Sequence, residues 1–65
     1  MPKRQREILQ LLTRGLSNKQ IAAELGIALP TVKNHLSVLF RKYGVSNRVG
    51  LLAKLDLISH ESTSP

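Results

Sequence analysis

The sequence predicts an all-α fold, a four-helix bundle in one small domain. Two observations carry this. Apolar residues recur at three- and four-residue spacing, and the alternation of a half-buried strand is absent. The residues that favour strands are sparse: Phe40 and Tyr43 are the aromatics, and the β-branched residues are scattered.

The first helix is expected over residues 2–14, with Pro2 in the first turn, where its missing N–H costs nothing. Ile8, Leu9, Leu11 and Leu12 gather in its second half, and Gly15 breaks it. Lys3, Arg4 and Arg6 oppose the helix dipole at its start. The second helix has the clearest boundary. In "SNKQ", Ser17 serves as N-cap and Gln20 as its reciprocal partner, while Leu16 and Ile21 are spaced as a hydrophobic staple. This helix reaches Leu25 and stops at Gly26.

The third helix is expected over 30–43, beginning at Pro30 because proline disfavours helical geometry in the residue before it. No side chain nearby in sequence caps the amides of Thr31, Val32 and Lys33. Gly44 stops the helix, Ser46 is the expected cap of the fourth, and the fourth runs over 47–58. The remaining stretch, 59–65, lacks apolar residues after Ile58 and is expected to be a disordered tail, leaving 1–58 as the folded domain.

Composition narrows the function. Ten Lys and Arg against four acidic residues give a formal net charge of +6 in 65 residues, which favours a polyanionic partner, nucleic acid before anionic membrane. The absence of cysteine excludes disulfides and thiolate metal sites and suits the cytoplasm. No apolar run approaches the ~20 residues that span a bilayer. The basic residues are split between helices and do not line one amphipathic helix, which argues against a membrane surface. No metal-ligand cluster, paired carboxylates or base-served nucleophile is present, so the reading is not an enzyme, with no cofactor and no metal.

The second and third helices are joined by only a few residues, 26–29. Ala22 is small enough for a close helix crossing, Gly26 turns the chain, and Val32 would sit in the crook between the helices. That spacing suits a helix-turn-helix. On a wheel at ~100° per residue, Val32, Leu36, Leu39, Phe40 and Tyr43 form the buried stripe of the third helix. Pro30, Asn34, Ser37 and Arg41 lie opposite, flanked by Lys33 on one side and by Thr31 and Val38 on the other. No carboxylate occurs between Pro30 and Gly44, so this face forgoes the intrahelical ion pairs of an ordinary solvated helix. It suits a major groove, where Lys and Asn donate to base edges.

"GLSNKQIA", "TVKNHL" and "KYGVSNR" together resemble the LuxR-type helix-turn-helix domain, the output domain of NarL/FixJ-type response regulators, and the resemblance covers about 4–58. It implies a fold unrelated to the winged helices, binding double-stranded DNA as a homodimer. The third helix would enter the major groove and the fourth would pair the subunits. It implies base contacts from Lys33, Asn34 and Ser37, and phosphate contacts from Asn18, Lys19, Thr31, His35, Arg41 and Lys42. An upstream receiver or ligand-binding domain and RNA polymerase are further implied partners. Ala28 stands where the family usually has Ser, and Tyr43 where it prefers Leu; "MPK" replaces a longer lead into the first helix, as in an excised domain or a short stand-alone one.

The fourth helix is more apolar than one core needs. Leu51, Leu52, Leu55 and Ile58 can cover the interior, leaving Val49, Ala53 and Leu57 as a second stripe, with Gly50 and Ala53 small enough to admit another helix. Arg48 reads equally as an ion-pair partner of Glu7 and as a DNA contact. Two alternatives remain open at this level: a sigma-factor-like promoter module, and a small basic helical module that docks protein.

Overall fold

The computed structural model describes the backbone of residues 1–63 and the side chains of residues 1–58. Four helices account for it: α1 (Lys3–Thr13), α2 (Asn18–Leu25), α3 (Leu29–Tyr43) and α4 (Arg48–Thr63), with no strand among the described residues. The helix α3 packs against each of the other three. It is therefore the centre of the domain, although one of its faces remains in solvent.

The core draws on every helix. Ile8, Leu9 and Leu12 come from α1, Ile21 and Ala22 from α2, Val32, Leu36 and Leu39 from α3, and Leu51 from α4. Six of these side chains, among them Ile21, Val32 and Leu51, are fully enclosed. Each such side chain contributes about 1.5–3 kcal/mol relative to exposure. The expected stripe of α3 is thus the buried one, with Phe40 and Tyr43 packed partly buried at its C-terminal end. Ala22, Gly26 and Val32 play the parts their spacing implies: two are buried and the glycine is left-handed.

The corners are closed by the chain itself. At the end of α2, the Gly26 amide donates to the Ala23 carbonyl and the Ile27 amide to the Ala22 carbonyl. After α3, Gly44 donates to Arg41 and Val45 to Phe40 in the same pattern. Both glycines are left-handed, at φ 66° and 67°. This pair of hydrogen bonds with an aliphatic residue behind the glycine is the Schellman arrangement. Ile27 and Val45 pack against the core. Leu16 closes α1 in the same way, donating to Leu11.

The structure corrects several boundaries. Pro2 is the N-cap of α1, so the helix proper begins at Lys3. The third helix begins at Leu29, with Ala28 as N-cap and Pro30 one residue inside the first turn. Leu29 keeps helical geometry despite the proline because the Ala28 carbonyl accepts from both the Thr31 amide (3.0 Å) and the Val32 amide (3.2 Å). No side chain caps this helix start, as expected; the Thr31 and Val32 amides bond the backbone carbonyl of Ala28 instead. In α4 the cap is Asn47 and not the expected Ser46: the Asn47 side-chain oxygen accepts from the Gly50 amide at 2.8 Å, so the helix starts one residue later than expected. The helix then continues to Thr63, past the expected end at 58 and into the stretch expected to be a disordered tail. Beyond Gly50 in its first turn the sequence has no further glycine or proline before Pro65, and Ser64 and Pro65 lie outside the described residues.

Candidate nucleic-acid interface

The start of α2 is built as expected. The Gln20 amide donates to Ser17 Oγ at 3.2 Å, and the Ser17 amide donates to Gln20 Oε1 at 2.8 Å. This capping box sets the direction of the first turn, where Asn18 is half-buried and Lys19 is exposed. The first-turn amides point out of the helix end, and no acidic residue lies in that turn.

Across from it lies the first half of α3. Asn18 and Lys19 share an open groove of about 520 Å³ with Leu29 and Lys33 of α3 and Arg48 of α4. The structure therefore brings three of the predicted contact residues, Asn18, Lys19 and Lys33, to one place. The others are spread along α3. Thr31, Asn34, Ser37, Arg41 and Lys42 are exposed, while His35 is half-buried at the edge of the packed face. Among the described residues the acid-free character of α3 holds from Leu29 to Tyr43. Arg41 and Lys42 also occupy its last turn, where positive charge complements the helix dipole.

Two details alter the predicted chemistry. Ser37 Oγ donates to the Lys33 carbonyl at 3.1 Å, so its hydroxyl proton is committed to the helix and its lone pairs face outward. It can accept from an exposed amino group, as on adenine or cytosine, more readily than it can donate. Val38 is 43% exposed on this otherwise polar side.

Arg48 is the residue whose place the sequence did not disclose. Its guanidinium donates from Nη2 to the Leu16 carbonyl at 2.7 Å, which ties the first turn of α4 to the turn between α1 and α2. Of the two readings of Arg48, the pairing with Glu7 is not formed: Glu7 lies 3.6 Å from Arg4 on its own helix. A contact across 32 positions between a side chain and a carbonyl leaves no local signature.

On α4, Val49 and Leu57 are 76% and 62% exposed, and Ala53 between them is exposed as well. Leu51 is enclosed, and Leu52 and Leu55 pack partly buried against the core. Ile58, expected to cover the interior, is instead on the exposed side. Gly50 uses its small size within the chain: a Cβ there would meet the Val45 Cβ at 3.2 Å.

The sequence matches the family of bacterial regulatory proteins, luxR family, over residues 1–55. The chain belongs to that LuxR family. It is 52% identical over 50 residues to the probable transcriptional regulatory protein SgaR of Hyphomicrobium methylovorum, covering 77% of this chain and 24% of that one. It is 42% identical over 55 residues to the transcriptional regulatory protein UhpA of Escherichia coli, covering 85% of this chain and 28% of that protein. Among solved structures, the response regulator ChrA of a heme-sensing two-component system superposes with a TM-score of 0.82 at 43% identity, over 89% of this chain and 29% of ChrA. The LuxR-type chain described here thus spans about a quarter of the length of these relatives. It is a DNA-binding helix-turn-helix domain of a family of transcription regulators, with α2 and α3 as the two helices of the motif.

Proposed function

We propose that this LuxR-type domain reads a specific DNA sequence by inserting α3 into the major groove. Lys33 and Asn34 donate to base edges and Ser37 accepts from an amino group, while Asn18, Lys19, Thr31, His35, Arg41 and Lys42 grip phosphates on either side. The observation that carries the reading is the groove between α2 and α3. It places Lys19 beside Lys33, at the foot of an exposed helix face without a carboxylate. Phosphate contacts at the α2 start would fix register, and α3 would supply the sequence preference.

The domain pairs with a second copy through the exposed α4 stripe Val49, Ala53 and Leu57, with Gly50 at its margin, and the dimer occupies half-sites about one helical turn apart. In the full protein it follows a receiver or ligand-binding domain, works in the cytoplasm with RNA polymerase, and needs no cofactor. Its place within about a quarter of each relative, the ChrA response regulator included, supports an additional input domain.

Selection of binding sites from a random duplex pool, followed by Lys33→Ala, tests the base readout. The substitution is expected to cost about 1–3 kcal/mol and to relax preference at one position. Equal losses on selected and random duplexes would move Lys33 to the phosphate contacts. No binding to any duplex at low salt would sink the DNA reading in favour of a protein-docking module.

A further inference from the structure

We infer that Arg48 is a DNA-phosphate contact of α4, held in place by its own bond to the Leu16 carbonyl. The inference deepens the DNA-binding reading and rests on it. A guanidinium carries five N–H donors in a planar fork. Among the described residues one donor of Arg48 is engaged, Nη2 at 2.7 Å from the Leu16 carbonyl. The side chain lines the groove that also contains Asn18, Lys19 and Lys33, and no carboxylate lines that groove. Three cationic residues gathered in one acid-free groove repel one another. A polyanion strand laid along it relieves that repulsion.

Arg48 suits the role better than a free surface cation. The residue is half-buried, and the Leu16 bond fixes one edge of the guanidinium, so less freedom is lost when the rest meets an anion. The remaining fork can take a phosphate in two parallel bonds. The bonded carbonyl belongs to the residue just before the Ser17 cap, so the same guanidinium also orients the start of α2 where Asn18 and Lys19 sit. A phosphate held by Arg48 would lie within one continuous grip from α2 to the first turn of α4. None of these features requires the protein to be in its DNA-bound form.

The test compares the salt dependence of binding to a short mixed-sequence duplex for the parent, Arg48→Gln and Arg48→Lys. Removing one phosphate contact lowers the slope of log K against log salt by about 0.9 per subunit. Arg48→Gln is expected to show that reduction, with the ratio of selected-site to random-site affinity unchanged, and Arg48→Lys to restore the slope. A merely structural Arg48 would lower thermal stability and leave the slope where it was; that result overturns the inference. In the unmutated domain, the Arg48 Nε–H signal in nitrogen-edited NMR should shift on titration with the same duplex. This readout decides the matter if Arg48→Gln does not fold, and an unmoved signal overturns the inference. If the parent binds no duplex, the DNA reading itself fails and the inference with it. If the parent binds and the slope does not change, only the role of Arg48 falls.

Discussion

Gly26→Ala measures how much the corner between the two helices of the motif depends on backbone geometry alone. Gly26 sits at φ 66° and ψ 35°, and a Cβ built there would meet no atom within 4 Å. Steric clash with the rest of the fold therefore contributes nothing. What remains is the intrinsic cost of left-handed geometry for an L-residue, about 1–2 kcal/mol. Against it stands the smaller conformational freedom of alanine in the unfolded chain, about 0.4–1 kcal/mol in favour of the variant. The net expectation is a loss of about 1 kcal/mol. In a domain of this size that lowers the thermal midpoint by about 4–8 °C. Gly44→Ala is an internal control, since its φ is 67° and its Cβ position is also open, so the two losses should agree within a few tenths of a kcal/mol. Circular dichroism melts of both variants, with Gly26→Asn expected to recover part of the loss, supply the comparison. A neutral Gly26→Ala, or a loss beyond about 3 kcal/mol, would refute the idea that this turn is held by backbone geometry without steric constraint.

Three further outcomes follow from the helix ends and the α4 face. Ser17→Ala removes the acceptor of the Gln20 amide and is expected to cost about 0.5–2 kcal/mol in a denaturant melt; Gln20→Ala added to it should cost less than the sum of the two single losses, and strict additivity would mean the two halves of the box act separately. Ala28→Ser is expected to stabilise by only about 0.5 kcal/mol, the low end for a cap, because Pro30 offers no amide and the Thr31 amide already reaches the Ala28 carbonyl; a gain near 2 kcal/mol would mean that this bond contributes little. Ala53→Glu places a charge in the middle of the exposed stripe of α4 and is expected to weaken self-association seen by sedimentation, in solution and on DNA. Unchanged association in both settings would remove α4 as the pairing surface.

Where the sequence could be read, the determinants were local. The α3 stripe follows helical spacing, and Val32, Leu36 and Leu39 are buried as that spacing requires. The capping box at Ser17 is complete within four residues, and the Gly26 and Gly44 stops lie at the ends they mark. The errors arose where two local solutions competed. Ser46 and Asn47 are both good caps, and the geometry chose the side chain that reaches the Gly50 amide. At α3, proline chemistry favoured a start at Pro30, but a shared carbonyl at Ala28 supports one residue more. The place of Arg48 was illegible for a different reason: its partner is a carbonyl distant in sequence, and the sequence left an ion pair with Glu7 and a DNA contact equally open. Of the candidate site, the outward direction of Asn34 and Ser37 was readable from the wheel, which set Lys33 only on the flank although it too is exposed. The commitment of the Ser37 proton to the helix was not readable.

The glycine-aliphatic corners also bear on how quickly the domain forms. Each is completed by amides and carbonyls no more than five positions apart, as in Ile27 to Ala22 and Val45 to Phe40, so each can close before any distant part of the chain has arrived. Helical proteins dominated by such near-neighbour contacts reach the native state in about microseconds to milliseconds. A chain with this construction can complete its assembly from its own short-range contacts. The apolar row on α3 would then spend little time exposed to other chains during synthesis.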